Sequence, residues 1–393
     1  MTINILAMDI SYIINELAED REQYFNAIAP PVIQSSNFAF RDVAAMREAL
    51  RDEYYANLYS RGNNPTVDML RKKLAALDGA EDALVFGSGV AAISIPILAL
   101  LKQGDHVVSV AKPYSWTTKL FERLLPKFGI TTTFVDGKET ENFTQSIQPN
   151  TKLIFLESPN TFTFEVQDIP AVTALARSKG IITMIDNSYC SPLHQQPYHM
   201  GVDLVAQSAT KFIGGHSDVV AGVVSGSKML IKKIFDAEFL NIGGNISPWN
   251  AWLLIRGLRT LPIRLQRICD STEKVVGFMA SHPAVEKVIF PFHQSFPQYK
   301  LAKKQMSNAG GLFSIVLKNS SLEKIELFCN SLNHFFLAVS WGGHESLVIP
   351  AAAGMAKESF DATSENHQVI RLYVGLEEPD YLIEDLKNAL SKL

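Results

Sequence analysis

Short apolar runs recur along the first part of the chain, and each has the length of a buried β-strand. Seven such runs stand out, at residues 83–86, 106–110, 132–135, 153–156, 181–185, 204–207 and 219–224. Segments with helical periodicity separate many of them, for example at residues 89–101, 116–128 and 169–178. Because strands that alternate with helices are typical of a mostly parallel sheet covered by helices, the chain is predicted to contain a large α/β domain.

The pattern changes after about residue 257, where longer helical segments replace the regular alternation. Predicted helices lie at residues 250–259, 262–282, 321–332 and 379–393, and predicted strands at residues 312–317 and 370–374. This region is predicted to form a smaller α+β domain over residues 258–393. It follows the large α/β domain, which is placed at residues 66–257.

The composition narrows the class of protein. A chain of 393 residues is too long for one ordinary core, which agrees with two domains. A charged fraction of 19% and a formal net charge of −4 give no basic face for nucleic acid. The longest apolar run, residues 89–101, contains Pro96 and is too short to span a bilayer. The amino-terminal segment lacks a basic region, so no secretory signal is predicted and the protein is expected in the cytoplasm.

The cysteines and histidines predict neither a disulfide framework nor a metal site. Cys190, Cys269 and Cys329 are widely spaced and form no CxxC pair, as in proteins of a reducing compartment. The nine histidines include no HExxH pattern, and His194 and His199 are expected at the surface or in packing. No metal, nucleic-acid or membrane partner is therefore predicted.

A lysine stands among small residues and glycines directly after the predicted strand at residues 204–207. Residues 208–218 read SATKFIGGHSD, with the lysine at Lys211. Ligands of α/β proteins bind beyond the carboxyl ends of strands, and partial burial there would lower the pKa of the amine and make it nucleophilic. Ser208 and Thr210 lie on one face of an extended segment and offer hydroxyls to a phosphate. An ordinary surface lysine beside a glycine turn is the alternative.

A carboxylate, Asp186, follows the predicted strand at residues 181–185 and is expected at the same edge of the sheet. An anion at this place can keep a ring nitrogen protonated, which turns a pyridine ring into an electron sink. An Asp-Asn pair is also a common turn, and for Asp186-Asn187 taken alone the turn is the favoured interpretation.

The segment FGSGV at residues 86–90 joins a predicted strand to a predicted helix. Its glycines permit close approach of an anion to the free N–H groups of the helix. The third glycine of a dinucleotide fingerprint is replaced by Ala92, so phosphate binding is favoured over NAD binding. Tyr114 follows the next strand, where it either stacks on a flat ligand or is a half-buried core aromatic.

Residues 1–65 contain a Pro-Pro pair and further turn residues and are predicted to form an extended arm. Such an arm lies on its own domain or on a neighbouring subunit, and it carries the phenol of Tyr59 and the guanidinium of Arg61. Far along the chain, Arg371 is the one charged residue of the strand at residues 370–374. Because arginine is seldom buried without an anion, Arg371 is expected to bind a substrate carboxylate or an internal Asp or Glu.

Taken together, these segments resemble the cysteine and methionine metabolism family of pyridoxal-phosphate (PLP) enzymes, from about residue 30 to the carboxyl terminus. Residues 208–218 are similar to the family's lysine signature, and residues 59–66 (YSRGNNPT) are similar to its arm motif. Residues 256–261 (RGLRTL) and 340–347 (SWGGHESL) complete the ordered set. The resemblance implies the PLP-dependent transferase-like fold of aspartate aminotransferase, fold type I. Its large domain has a mostly parallel seven-stranded sheet, and its smaller domain is α+β.

The resemblance also implies a role for each candidate residue. Lys211 would carry the cofactor and transfer protons, and Asp186 would pair with the pyridinium nitrogen. Tyr114 would stack on the ring and take part in catalysis. The cofactor phosphate would be held by hydroxyls and amides of Ser88, Gly89, Val90, Ser208 and Thr210.

The resemblance implies roles for two further groups of residues, one at a neighbouring subunit and one at the substrate. Tyr59 and Arg61 would reach the phosphate of a neighbouring subunit's cofactor, with Tyr59 also assisting proton transfer. The smallest active unit would then be a dimer, and a homotetramer of two such dimers is expected. Arg371 would bind the carboxylate of a small-molecule amino-acid substrate, with Ser340 nearby.

Local departures from the family pattern favour its cystathionine β-lyase branch. The Ser340-Trp341 pair resembles the bacterial β-lyase form, whereas γ-synthases and γ-lyases usually carry Leu after that Ser. Val339 stands where those γ-enzymes commonly have a glutamate that meets the distal amino group of the substrate. Residues 157–161 (ESPNT) depart from the more frequent ESPTNP run. Trp116 stands where methionine γ-lyases carry a reactive cysteine.

The expected reaction is therefore β-elimination of L-cystathionine to homocysteine, pyruvate and ammonia, a step of trans-sulfuration and methionine biosynthesis. Cystathionine γ-lyase, methionine γ-lyase and cystathionine γ-synthase activities are the alternatives on the same scaffold. An NAD-dependent dehydrogenase that uses the glycine turn, or a non-catalytic relative with the same fold, are more remote alternatives.

Overall fold

The computed structural model describes residues 8–393, which fall into two compact units. The first unit comprises the described residues up to Glu157 together with Gln167–Gly214 and Asp218–Arg259. The second comprises Ser158–Val166, Gly215–Ser217 and Thr260–Leu393. The domain bounds expected from the sequence, residues 1–65, 66–257 and 258–393, stay a prediction beside this division.

The first unit alternates strands and helices along the chain. Its strands are β1 (Asp82–Phe86), β2 (His106–Val110), β3 (Thr131–Val135), β4 (Thr151–Glu157), β5 (Ile182–Asp186), β6 (Leu204–Gln207) and β7 (Gly222–Gly226). Its α-helices are α1 (Ile10–Asn15), α2 (Val43–Ala49), α3 (Pro65–Leu77), α4 (Gly89–Leu100), α5 (Ser115–Lys119), α6 (Thr140–Ser146), α7 (Ile169–Ser178), α8 (Ser191–His194), α9 (Lys228–Ile234) and α10 (Leu240–Ile242). The long helix α11 (Pro248–Ser281) begins in this unit and ends in the second.

The strands of the first unit form one sheet in the order β1-β7-β6-β5-β4-β2-β3. Strand β7 runs antiparallel to both of its neighbours, and the remaining pairs are parallel. The expectation of a mostly parallel seven-stranded sheet is thus confirmed. Because parallel strands end at a common edge, the last residues of β4, β5 and β6 are neighbours there.

Apolar cores cover both faces of this sheet, which explains why its strands read as continuous apolar runs. Successive residues of a strand point to opposite faces. Val107 accordingly belongs to a core cluster with residues of α4, whereas Val108 belongs to a second cluster with residues of α7.

The second unit contains a five-stranded sheet and is α+β, as expected. Its strands are β8 (Val285–Ile289), β9 (Leu312–Leu317), β10 (Phe336–Leu337), β11 (Leu347–Pro350) and β12 (Ile370–Tyr373). Its own α-helices are α12 (Tyr299–Gln305), α13 (Leu322–Ser331), α14 (Glu365–Gln368) and α15 (Pro379–Leu390). The strand order is β10-β11-β12-β9-β8, so β12 is central, with antiparallel neighbours on both sides.

Three local predictions were wrong in detail. The seventh strand lies at Gly222–Gly226 rather than at residues 219–224, and Val220 is exposed. The helix predicted over residues 116–128 is α5 followed by a π-helical turn and a 3₁₀ turn that begins at Leu125. The two helices predicted at residues 250–259 and 262–282 form the single helix α11. A buried stripe at helical spacing continues across Pro262, which explains why the helix continues there.

None of the helices within residues 8–393 combines the length and apolar composition that crossing a bilayer requires. The cytoplasmic location stays a prediction.

A buried ion cluster holds the segment around Glu19 on the first unit. The Glu19 side chain has no solvent exposure, and its carboxylate lies 3.1 Å from Lys73 Nζ and accepts a hydrogen bond of 2.8 Å from Arg259 Nη2. Lys73 Nζ also donates to the carbonyl oxygen of Ile13 at 2.9 Å. Burial lowers the pKa of Lys73, and the hydrogen bond to Glu19 opposes this shift. Arg259, part of the RGLRTL motif, therefore has a structural contact that the motif alone did not indicate.

Replacing Glu19 with Ala should destabilise the protein by about 3–5 kcal/mol, because the change leaves the Lys73 ammonium buried without its carboxylate. Chemical denaturation followed by circular dichroism measures the effect. Glu48→Ala is the matched control, since Glu48 pairs with Arg51 in an exposed ion pair and should contribute less than about 1 kcal/mol. Equal unfolding midpoints for the two variants would contradict the importance of the buried cluster.

Candidate active site

The carboxyl ends of β4, β5 and β6 bring polar residues of distant segments together at one sheet edge. Glu157, the last residue of β4, is the register partner of Asp186, the last residue of β5. Asp186 is in turn the partner of Ala206 in β6, which leads into Ser208. Loops beyond such an edge are where open α/β sheets bind ligands.

Asp186 is held by two hydrogen bonds from a single neighbour, Ser188. Its Oδ1 accepts from the Ser188 backbone N–H at 2.9 Å and from the Ser188 hydroxyl at 2.6 Å. Burial raises the pKa of Asp186, while these hydrogen bonds and the charge of Lys211 act in the opposite direction. A buried carboxylate of this kind is stabilised as an anion when a cationic group lies against it.

Ser188 connects Asp186 to the segment that carries the lysine. Its Oγ donates to Asp186, and the same oxygen accepts the backbone N–H of Ser208 at 2.6 Å. Sequence reasoning did not assign a role to Ser188. The signal was present in the spacing, because an Asp followed two residues later by Ser is a common side-chain-to-backbone turn.

Lys211 lies in a compact turn after β6. Its backbone N–H donates to the carbonyl oxygen of Ser208 at 3.0 Å, and the N–H of Gly214 donates to that of Ala209 at 2.8 Å. The Lys211 side chain is half-buried and its charge acts on the pKa of Asp186. The structure therefore brings together Lys211 and Asp186, two of the predicted cofactor residues.

The amino terminus of α4 meets the same turn. Ser88 caps this helix, because its Oγ accepts the N–H of Ala91 at 3.1 Å. A Cβ on Gly89 would lie 2.9 Å from the Oγ of Ser208, so only glycine permits this approach. The free N–H groups at Gly89 and Val90 and the hydroxyl of Ser208 thus lie close to one another, as a phosphate site requires.

Thr210 has a different environment from the other predicted phosphate ligands. Its hydroxyl donates to the carbonyl oxygen of Ala221 at 3.1 Å and accepts the N–H of Ala221 at 3.0 Å. In this arrangement the Thr210 hydroxyl already donates its proton to a carbonyl oxygen of the protein. Thr210 would have to release Ala221 before it could donate to a phosphate.

Tyr114 is positioned by its backbone. Its N–H donates to Oε2 of the buried Glu157 at 2.7 Å, at the start of α5. The side chain of Tyr114 is 42% exposed. The ring therefore retains a surface on which a flat ligand can stack.

Tyr59 and Arg61 form a pair on the surface of the first unit. The guanidinium carbon of Arg61 lies 5.5 Å from the centroid of the Tyr59 ring, and Tyr59 is 47% exposed. The role expected for this pair at a neighbouring subunit's cofactor stays a prediction.

Arg371 and Ser340 meet in the second unit. Arg371 lies in the central strand β12 and is 8% exposed. Its Nη2 donates to the carbonyl oxygen of Ser340 at 3.3 Å. The structure thus joins the arginine and the serine that the sequence suggested for the substrate, although they are 31 positions apart.

A comparison with protein families decides the class of this site. The sequence model of the family described as "Cys/Met metabolism PLP-dependent enzyme" matches residues 12–391. The chain belongs to this family. Pyridoxal phosphate is accordingly the cofactor of this Cys/Met metabolism enzyme.

The matches to known relatives cover most of this enzyme. L-methionine gamma-lyase of Treponema denticola is 36% identical over 381 residues, which cover 94% of each chain. Cystathionine gamma-lyase of Mus musculus is 38% identical over 337 residues, which cover 84% of each chain. The crystal structure of metB from Corynebacterium glutamicum has 32% identity and a TM-score of 0.91, and the match covers 99% of this chain and 100% of that one. The predicted fold class is confirmed.

The names of these relatives support a PLP-dependent carbon–sulfur lyase as the class of activity. They do not support the narrower expectation of a cystathionine β-lyase, since both named lyases are γ-lyases.

The residues at the sheet edge agree with the groups that PLP presents. A carboxylate at Asp186 suits a protonated ring nitrogen, and the amine of Lys211 suits an aldehyde. The helix terminus at Gly89, which a Cβ would block, suits the phosphate. Within residues 8–393 no group of three or more His, Cys, Asp or Glu side chains is arranged to hold a metal ion.

Proposed function

We propose that this enzyme catalyses γ-elimination from a thioether amino acid of the L-methionine type. L-methionine and water would yield 2-oxobutyrate, methanethiol and ammonia, with cleavage of the Cγ–S bond. The main support for this proposal is that L-methionine gamma-lyase of Treponema denticola is 36% identical to this enzyme over 94% of both chains. The γ-lyase name of the mouse relative supports the same type of cleavage.

Val339 supports a substrate whose tail carries no charge. It stands where the γ-synthases and γ-lyases that this chain resembles commonly have a glutamate for the distal amino group of cystathionine. A valine offers an ammonium group neither a charge nor a hydrogen-bond acceptor in its side chain. A methionine-type thioether is therefore favoured over cystathionine as the γ-elimination substrate.

The proposed mechanism assigns each task to a residue of this chain. When bound, PLP supplies the electron sink for the charge that forms at Cα. The carboxylate of Asp186 keeps the ring nitrogen protonated, and Arg371 holds the substrate carboxylate. The amine of Lys211 would take the proton from Cα and deliver it to C4′ of the bound cofactor, and would then be free to take a proton from Cβ. Loss of the Cβ proton would allow the bond from Cγ to sulfur to break. Lys211 or Tyr59 delivers a proton to the departing sulfur.

The exposed pair Tyr59 and Arg61 supports an oligomeric enzyme. We propose that this pair completes the cofactor site of a neighbouring subunit in a homotetramer built of two dimers. A phenol and a guanidinium that lie together on the surface suit a phosphate presented from outside the subunit.

β-Elimination of L-cystathionine is the second candidate function. The Ser340-Trp341 pair favours it, because this pair resembles the bacterial cystathionine β-lyase form. Trp116 also weighs against a methionine γ-lyase, since it replaces the reactive cysteine of those enzymes.

Product analysis separates the two functions. Cofactor-loaded enzyme is incubated separately with L-methionine, L-cystathionine and L-cysteine, and the oxo acids are identified by mass spectrometry. The proposal expects 2-oxobutyrate and methanethiol from L-methionine, with the same oxo acid formed more slowly from cystathionine. Pyruvate and homocysteine from cystathionine, without turnover of methionine, would replace the proposal by the second candidate. Neither oxo acid from any substrate would contradict both.

A further inference from the structure

Phe162 lies beside the guanidinium group of Arg371. The guanidinium carbon is 4.9 Å from the centroid of the Phe162 ring, and both residues belong to the second unit. A cation within about 6 Å of an aromatic centroid is attracted by the electrons of the ring face. No motif of the sequence pointed to Phe162.

Arg371 is also fixed at the edge of its guanidinium group. Its Nη2 donates to the carbonyl oxygen of Ser340, where the backbone has a φ of +78°. The hydrogen bond and the ring contact thus act on different parts of the same group. Together they define the plane in which the arginine can present its fork of donors to a carboxylate.

Phe162 is itself held in place by the sheet that carries Arg371. Its carbonyl oxygen accepts from the Oγ of Ser314 at 2.8 Å, and Ser314 is the register partner of Arg371 in the β9–β12 pair. The loop around Phe162 is closed by Asn160, whose Oδ1 accepts the N–H of Glu165 at 3.0 Å. A φ of +66° at Phe162 is unusual for a residue with a side chain, so these contacts hold a strained conformation.

We propose that Phe162 is a positioning residue that orients Arg371 for the α-carboxylate of the substrate. The ring shields one face of the guanidinium from water, and the charge pair with a carboxylate is stronger where water is excluded. Phe162 therefore raises the affinity for amino acids without contacting the substrate carboxylate. This role rests on the proposed function, because it requires that Arg371 binds that carboxylate.

A pair of ligands that differ only in the carboxylate tests this role. L-norleucine has no sulfur to eliminate, and n-pentylamine is the same molecule without its carboxylate. Their dissociation constants are measured by calorimetry on cofactor-loaded enzyme. Phe162→Leu should weaken L-norleucine binding about three- to tenfold, as expected for loss of a partly desolvated cation–π contact. Binding of n-pentylamine should not change, and Phe162→Tyr should restore the affinity for L-norleucine.

Two further variants distinguish positioning from a general effect on the fold. In an Arg371→Ala background, Phe162→Leu should cause no additional loss of L-norleucine binding. Phe162→Met removes the ring with a more flexible side chain and replaces Phe162→Leu if that variant does not fold. Equal weakening of both ligands, or unchanged L-norleucine binding, would overturn the role of Phe162 alone. Failure of the unmodified enzyme to bind either ligand would instead overturn the proposed function together with this inference.

Discussion

Replacing Lys211 with Ala should remove the visible absorption band of the purified enzyme and nearly all of its turnover. The amine of this residue is proposed to bond covalently to the cofactor aldehyde and to carry protons during the reaction. Loss of a positioned general acid–base alone reduces rates by about a hundredfold to ten-thousandfold, and here the cofactor bond is lost as well. Absorption spectra and the rate of oxo-acid release measure both effects.

Lys102→Ala provides the control for this experiment. Lys102 is an exposed lysine of the same unit, two residues beyond the end of α4. Its removal should leave the absorption band and the turnover unchanged. A Lys211→Ala enzyme that retained both properties would refute the role assigned to this lysine.

Asp186→Asn should lower turnover by about a hundredfold to a thousandfold, the range expected when one preorganised electrostatic partner is lost from a site. The amide keeps an oxygen that can accept both hydrogen bonds from Ser188, so the fold should be preserved. Only the negative charge that is proposed to stabilise a protonated ring nitrogen is removed. Steady-state kinetics with saturating cofactor measure the effect on kcat.

Asp203→Asn is the matched control for the charge at Asp186. The Oδ2 of Asp203 accepts two hydrogen bonds from Thr183, from the backbone N–H and from the hydroxyl, each at 2.8 Å. Asp203 thus has a similar hydrogen-bonding environment, but it precedes β6 and lies at the opposite edge of the sheet. Turnover should be unaffected in this variant. Similar losses in the two variants would show that the position of the charge at the carboxyl edge is unimportant.

The large sheet could be predicted because burial on both faces leaves a continuous apolar run for each strand. The seventh strand was predicted to begin a few residues too early because Val219 and Val220 are apolar. Val220 is nevertheless exposed, and it lies before the strand begins. The break predicted between residues 259 and 262 was wrong for a different reason. Proline removes one hydrogen bond of a helix and its ring crowds the preceding turn, but the buried leucines on either side of it continue the same helical stripe.

The site was predictable where a residue lies at the carboxyl end of a strand or in the turn after it, as Asp186 and Lys211 do. The contacts of Ser188, Phe162 and Glu19 depend on how separate segments meet. Glu19 and Arg259, for example, are 240 positions apart. Spacing along a single sequence carries no record of such contacts. The left-handed backbone at Phe162 also has no glycine to indicate it.

Differences from the family motifs at single positions were not enough to predict the substrate. The pair Ser340-Trp341 and the residue Val339 suggested a β-lyase, whereas relatives matched over most of the chain are γ-lyases. The proposed roles of Lys211, Asp186 and Arg371 serve both reactions equally. The choice between cleavage at Cβ and at Cγ depends on where the substrate tail lies, which these local motifs do not specify.

Borohydride reduction of the cofactor-loaded enzyme, followed by peptide mapping, tests the central claim most directly. Reduction makes the bond between a lysine amine and the cofactor aldehyde permanent, so that the labelled residue can be identified by mass spectrometry. The predicted result is a single pyridoxyl phosphate adduct on the peptide that contains Lys211. An adduct at another lysine, or a reduced enzyme without any adduct, would contradict the account.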